Sequence, residues 1–342
     1  MKKVRVLVLV HRDLAPKEGI EAPEVNPEWR MEWDVVTTLR KRGHELELIE
    51  VHDDLRPIRQ ALDEFKPAIA FNLLEAFDDI VVFDQNVVSY LELLRMPYTG
   101  CNPRGLTLAR DKALARKLLA YHRIPSPDFT VVPVGRKATL PRRLTYPLIV
   151  KSLTYEASAG ISQASIVANE EQLAKRVRFI HETLLTPAIV EQYIDGRELY
   201  VGVVGNHRLR VFPVWEMSFD NMQGDNWPIA TERVKWNVNY QERHGIGTDM
   251  AELPEGVAAK VQHLAKRTYR ALELSGYARI DFRMDASGRA YVIEANPNPQ
   301  LAKEEDFAQS ALKSRMSYPM LLERIMTLGL RWRPAREAGA SG

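Results

Sequence analysis

Gly276-Tyr-Ala-Arg279-Ile-Asp281-Phe-Arg-Met-Asp285-Ala-Ser-Gly288-Arg-Ala-Tyr-Val-Ile-Glu294-Ala-Asn296-Pro-Asn-Pro-Gln300 reads as two β-strands joined by a turn at 285–288. Side chains two residues apart on a strand point to one face. Arg279 and Asp281 therefore share a face of the first strand, and Glu294 and Asn296 share a face of the second. If the strands pair, two carboxylates, an amide oxygen and a guanidinium converge on one spot. Oxygen donors of this kind suit Mg²⁺, which binds through one or two carboxylates plus substrate phosphates. The hairpin thus has the makings of a site that handles a nucleoside triphosphate. Its opposite faces are apolar, with Ile280, Phe282 and Met284 on one strand and Tyr291, Ile293 and Ala295 on the other. The plain alternative is an amphipathic edge with solvated charges. Such an edge would not need the Asn296-Pro-Asn-Pro exit, where proline fixes the backbone.

The chain has 342 residues, 45% hydrophobic and 27% charged, enough to bury cores in two or three domains. Its 47 basic and 45 acidic residues leave a net charge of +2. That balance gives no electrostatic case for nucleic acid or a membrane surface as partner. A single cysteine, Cys101, excludes an intrachain disulfide and a cysteine-built zinc site. The eight histidines are scattered, without His-Glu-x-x-His or comparable spacing. The apolar run up to Val10 is interrupted by Arg5 and followed by His11-Arg-Asp13, with no small-residue cleavage site. It reads as a buried strand of a parallel sheet and not as a signal peptide. No segment reaches the ~18 apolar residues of a membrane span, and a cytoplasmic location is expected.

Residues 1–103 alternate strands (3–10, 45–51, 68–73) with helices (28–42, 55–65, 83–94), the order of an open parallel sheet wrapped by helices. Ligands bind beyond the carboxyl ends of such strands, which makes candidates of loops 11–27 and 72–80; ordinary connecting loops are the alternative. Residues 104–187 form a second unit with a helix at 106–121, strands at 128–133, 147–152 and 161–167, and a helix at 170–184. Residues 188–330 form a third unit containing the hairpin, and 331–342 read as a flexible tail.

Lys151 ends an apolar strand, so its ammonium emerges at the sheet end, as a phosphate contact or as a solvated strand end. The small, polar segment 154–160 behind it can bring backbone N–H groups close to phosphates and close like a lid. Taken by itself, Asp111-Lys112 on the 106–121 helix reads as an exposed helix pair, and Glu191 and Glu198, near the strand that starts at Ala188, are equally readable as solvated strand charges.

Taken together, these motifs resemble the ATP-grasp superfamily, most closely its D-alanine–D-alanine ligase branch. Arg-Ile-Asp281-Phe followed by Glu294-Ala-Asn296-Pro is similar to the family's metal-binding end. The segment after Lys151 resembles its lid, with Ser158 and Gly160 matching, Ala157 replacing a serine and Ser152 replacing a proline. Residues 188–198 resemble the adenine-holding strand and linker. That match implies that Glu191 and the Gln192, Tyr193 and Ile194 backbone meet the base, while Glu198 takes the ribose hydroxyls. Lys112 matches a lysine that reaches the nucleotide phosphates. Lys235, with Arg233 as competitor, sits where the family often has another. The resemblance runs from about Phe71 to about Ser317. It implies an α/β (α+β) ATP-grasp fold, with an N-terminal open parallel domain and two α+β subdomains that sandwich ATP.

The activity so implied is ATP-dependent carboxylate–amine ligation through an acyl phosphate, releasing ADP and phosphate. Asp281, Glu294 and Asn296 would hold one or two Mg²⁺, with Mn²⁺ as an alternative. Arg279, Ser158 and Lys235 would be catalytic, and Lys112 and Lys151 would steady the phosphates. A homodimer is the family's habit. The acceptor side departs from the pattern. His11-Arg-Asp-Leu-Ala-Pro-Lys17 replaces a Gly-Gly-x-Ser-x-Glu segment, leaving Glu28 and Glu32 as distant candidates for its glutamate. Asn296-Pro-Asn-Pro-Gln300-Leu-Ala302 lacks a glycine that lines the second substrate site. The expectation is the same chemistry on a different amino acid or peptide. Alternatives are a genuine D-alanine–D-alanine ligase of peptidoglycan synthesis, an enzyme that uses the acyl phosphate for non-peptide chemistry, and a catalytically idle nucleotide-binding protein.

Overall fold

The apolar run ahead of His11 forms β1 (Arg5–His11), in which Val6, Leu7, Val8, Leu9 and Val10 are completely buried. It runs parallel to β2 (Glu45–Val51) and β3 (Ile69–Asn72), which flank it. Burial on both faces explains why β1 reads as continuous and not alternating. Helices α1 (Arg30–Lys41), α2 (Arg56–Glu64) and α3 (Asp84–Leu93) wrap this sheet. The computed structural model describes residues 2–16, 27–155, 160–219, 227–231, 234, 240–241, 243, 245–254 and 256–334.

The helix expected over 106–121 is two helices, α4 (Pro103–Arg110) and α5 (Lys112–Tyr121). Asp111 separates them with extended backbone (φ −79°, ψ 100°), and its carboxylate accepts the Leu114 N–H at 2.8 Å. A short acidic side chain that satisfies the first free amides of a new helix favours a restart over continuation. The break puts Lys112 in the first turn of α5, where it is 8% exposed.

A second, antiparallel sheet has the order β4-β7-β5-β6, from β4 (Phe129–Val132), β5 (Leu148–Ser152), β6 (Ile166–Val167) and β7 (Ala188–Gln192). Helix α6 (Glu170–Thr183) packs on it through Leu173, Val177 and Ile180. The strand expected over 161–167 shrinks to two residues, because 163–165 form a 3₁₀ turn closed by reciprocal Ser162 and Ser165 capping. β7, expected to open the third unit at 188, pairs with β4 and β5 instead. The chain therefore changes sheets only at 193–196.

The third sheet has the order β10-β9-β8-β11-β12, all neighbours antiparallel. Its strands are β8 (Arg197–Val204), β9 (Arg210–Phe219), β10 (Ile246–Met250), β11 (Tyr277–Met284) and β12 (Ala290–Pro297). Helix α7 (Val257–Ala271) shares a core with Val201, Ile280 and Phe282. After α8 (Asp306–Lys313), α9 (Tyr318–Arg331) packs Leu321, Leu322 and Ile325 beside Val6, Val8 and Leu39. The last helix thus closes the first sheet. Trp332, expected in the flexible tail, donates its indole N–H to Glu92 at 3.0 Å, and 335–342 lie outside the described residues. Among the described residues no helix is long and apolar enough to cross a membrane.

On α1, Glu32 is completely buried, and neither carboxylate oxygen has a hydrogen-bond partner among the described residues. Burial, with the Glu75 carboxylate nearby, pushes its carboxyl from 4.5 to about 8. Between those values the folded protein holds a proton that the unfolded chain has lost. This contribution to stability is therefore full below pH 4.5 and is lost as pH rises through about 8. Urea unfolding should show a decline on the order of a few kcal/mol across that window, and Glu32→Gln should flatten it. An equal decline in the variant would show that the carboxyl is not the titrating group.

Candidate functional site

Strands β11 and β12 pair with Arg279 opposite Asn296 and Asp281 opposite Glu294, so the four groups converge as the alternation predicts. Arg279 donates two hydrogen bonds to Asp281, at 2.8 and 2.9 Å, and the Asn296 amide donates a third at 2.9 Å. The guanidinium also lies 4.6 Å from the Tyr200 ring centre. Burial would lower its pKa, but the Asp281 carboxylate outweighs that and keeps Arg279 charged.

Past this point the register shifts. Phe282 pairs with Val292, leaving Ile293 as an extra residue on β12. Such a bulge reverses which side chains face which way. Val292 joins the core with Ile280 and Phe282, whereas Ile293 lines the cleft. Of the three residues that strict alternation puts on the apolar face of this strand, only Ala295 lies in the core. Tyr291 is half-buried beneath the Arg289 guanidinium, 4.9 Å from its ring centre. Arg116 donates to the Ile293 carbonyl, and the Val292 N–H donates to Pro125 at 2.8 Å, which together pin the bulge.

A cleft separates β5 and β7 from β8, β11 and β12. Its walls are Ile149, Ile161, Ile194, Ile229 and Ile293, and its polar lining includes Lys151, Glu191, Glu198, Asp281 and Glu294. Gln192 and Tyr193 also border it. Arg279, Asn296 and Lys112 stand behind the lining, each bonded or paired to one of its carboxylates. Lys112 lies 3.3 Å from Glu294 and donates to the Tyr155 carbonyl at 2.6 Å. Its solvated-helix alternative is thereby excluded.

Glu191 is 1% exposed and held between two cations, Arg116 Nε at 2.7 Å and Lys151 Nζ at 3.1 Å. Burial alone would raise its pKa; Arg116 and Lys151 outweigh that and bring it to about 2. Its carboxylate therefore positions Lys151. Gln192 turns its amide to the 145–147 segment, accepting from the Thr145 N–H at 3.2 Å and donating to Pro147 at 3.1 Å. The backbone N–H of Gln192 donates to Asp128, and that of Tyr193 to Pro147. Ser158, Lys235 and the competitor Arg233 lie outside the described residues. Cys101 is completely buried, its thiol pushed by burial up to about 12, as suits a packing residue.

Two buried arginines complete the site and were not anticipated from the sequence. Arg283 donates to Glu198 at 3.1 Å, to the Ile194 and Pro228 carbonyls at 3.1 and 2.7 Å, and to the Tyr193 hydroxyl at 3.1 Å. It follows Asp281 by two residues, so the strand period that paired Arg279 with Asp281 also marks it. Arg116 follows Lys112 by four residues on α5, the spacing of one helix face. Glu198 accepts a further hydrogen bond from the Tyr200 hydroxyl at 2.8 Å.

Residues 117–327 match the family model described as D-ala D-ala ligase C-terminus. The chain is 31% identical over 250 residues to a D-alanine–D-alanine ligase of Desulfotalea psychrophila, covering 72% of this chain and 74% of that one. It is 29% identical over 319 residues to the uncharacterized protein y4sG of Sinorhizobium fredii, covering 91% and 90%. The fold superposes on the D-alanine–D-alanine ligase of Bacillus anthracis complexed with ATP with a TM-score of 0.74, at 21% identity over 96% of this chain and 98% of that one. Three sheets in this arrangement, one of them parallel and carried ahead of two antiparallel ones that face across a cleft, make the ATP-grasp fold. The chain belongs to the D-alanine–D-alanine ligase family of ATP-dependent ligases.

Proposed function

We propose that this ligase joins a carboxylate and an amine that are not both D-alanine, with ATP in the cleft between β5–β7 and β11–β12. The observation that carries the site assignment is the register of β11 on β12, which gathers Asp281, Glu294, Asn296 and Arg279. The donor set fits Mg²⁺: two carboxylates and an amide oxygen, all hard ligands, with the remaining positions left for phosphate oxygens and water. In this reading Asp281, Glu294 and Asn296 hold one or two Mg²⁺, with Mn²⁺ an acceptable substitute. When bound, the ion neutralises phosphate charge and orients the triphosphate.

The chain's own residues do the rest. Lys112 and Lys151 reach the phosphates from α5 and β5, and Glu198 accepts from the ribose hydroxyls, for which an acceptor-only carboxylate is suited. The isoleucine walls take the flat base. Phosphorylation of the acid gives an acyl phosphate, and the amine displaces phosphate to form the amide. Arg279, fixed by Asp281 and by the Tyr200 ring, faces the oxyanion that develops at the attacked carbonyl. Burial behind apolar walls keeps water from the acyl phosphate. A cytoplasmic homodimer belongs to the same proposal by family likeness, as do Ser158 and Lys235 as catalytic groups.

A different second substrate is supported by the loop after β12. Gln300 Oε1 accepts the backbone N–H groups of Leu301 and Ala302, at 3.0 and 3.4 Å. Donors that could receive a substrate carboxylate are thus occupied by the chain's own side chain. The competing reading, D-alanine in both positions, is favoured by the name of the Desulfotalea relative. ADP release with Mg·ATP, measured over a panel of D- and L-amino acids and dipeptides, decides between them. A pair other than two D-alanines should turn over fastest; fastest turnover with D-alanine alone would overturn the altered specificity. Asp281→Asn should abolish ADP formation with every pair while leaving the circular dichroism unchanged. Retained turnover would overturn the metal assignment. Arg279→Lys should lower kcat by on the order of 10²–10³ with little change in KM for ATP. A loss of less than about tenfold would remove Arg279 from the oxyanion role.

A further inference from the structure

At the carboxyl edge of the parallel sheet, on none of the elements that build the nucleotide cleft, two imidazoles and a carboxylate meet. His11 is the last residue of β1 and pairs with Val51 of β2, so His52 follows directly beside it. The two rings lie 5.5 Å apart, each side chain only 13–14% exposed. Asp79 comes from the β3–α3 loop. That loop is tied down where the Asp78 N–H donates to the His52 carbonyl at 2.8 Å and Phe77 and Ile80 exchange backbone hydrogen bonds. One oxygen of Asp79 is 3.4 Å from His11 Nε2 and the other 3.2 Å from His52 Nε2. Ligand atoms of all three residues lie within 4.8 Å of one another.

The two histidine–carboxylate separations are those of donors sharing a small ion, and the third pair of donors lies within 4.8 Å. Ligands about 2.0–2.1 Å from a tetrahedral Zn²⁺ stand about 3.4 Å from each other. His11 Nε2 is buried and its 3.4 Å approach to Asp79 does not make a hydrogen bond, which an ordinary histidine–aspartate pair would not leave. A carboxylate stands near each Nδ1: Asp13 at 3.7 Å for His11 and Asp53 at 3.5 Å for His52. Metal at Nε2 puts the ring proton on Nδ1, and carboxylates in that position orient ligating histidines. His11 Nδ1 then exchanges its long 3.4 Å contact with the Asp13 N–H for the Asp13 carboxylate. Imidazole nitrogens select borderline transition ions over Mg²⁺, and the further acid Asp78, grouped with His52 and Asp53, favours a cation.

We propose that His11, His52 and Asp79 bind a divalent transition ion of the Zn²⁺ class, clasping the exits of β1, β2 and β3. Three protein ligands leave one tetrahedral position for water or a ligand group. The test is calorimetric titration of the untagged full chain with ZnCl₂, magnesium being present in excess to occupy oxygen-only sites. One saturable site is expected, weakened at least ~10-fold in His52→Ala and in Asp79→Asn. Co²⁺ added in place of zinc should give visible d–d bands that both variants lose. Asp79 is 72% exposed, so its variant tests the site without endangering the fold. Absence of saturable zinc binding, or an affinity in either variant that matches that of the unaltered chain, overturns the proposal, and neither result bears on the ligase reading.

Discussion

Two carboxylates facing each other across a strand pair, Asp281 and Glu294, are the feature around which the rest of the site is arranged. Like charges placed directly opposite destabilise a sheet, so the pairing persists only because each carboxylate has its own cation. Arg279 satisfies Asp281 from the same strand, and Lys112 satisfies Glu294 from a different unit. A divalent ion would relieve the same repulsion from between them. Sliding β12 by one residue along β11 would turn Glu294 away from Asp281 to the opposite face of the sheet, and the bulge at Ile293 sits just beyond the pair.

Helix α5 links the two halves of the cleft. Because the chain restarts at Asp111, Lys112 and Arg116 occupy one face of a short helix. Lys112 reaches Glu294 of the third sheet; Arg116 reaches Glu191 of the second and the bulge carbonyl of the third. Buried ion pairs of this kind contribute little net stability, but loss of one partner strands a charge at a cost of about 3–5 kcal/mol. Their effect is positional. Glu191 places Lys151, and Arg283 places Glu198 and Tyr193, before any ligand arrives. Placement in advance is what catalysis by positioning and electrostatics needs.

The parts legible in the sequence were those set by local periodicity. The apolar continuity of β1, the alternation of β11 and the first carboxylate pair follow from spacing, and the family likeness rests on the same residues. Non-local choices were not legible. Nothing in the sequence of β7 says that its neighbours are β4 and β5. The bulge that takes Tyr291 and Ile293 out of the core depends on Arg116 and Pro125, which are far away in the chain. Asp111 offered a visible cue, a capping side chain inside an apparent helix, that the longer amphipathic pattern obscured. Arg283 was within reach, since the period already used for Asp281 extends to it. His11, His52 and Asp79 have no spacing to detect, because the register of a parallel sheet brings them together.

The central claim is that one cleft, closed by the β11–β12 register, holds a nucleotide and its metal between Asp281 and Glu294. Anomalous diffraction from crystals grown with Mn²⁺ and a non-hydrolysable ATP analogue tests it most directly. The account predicts an anomalous peak about 2–2.5 Å from carboxylate oxygens of both residues, with the analogue between the second and third sheets. A manganese peak bound by other side chains, or an analogue seated outside that cleft, would contradict it.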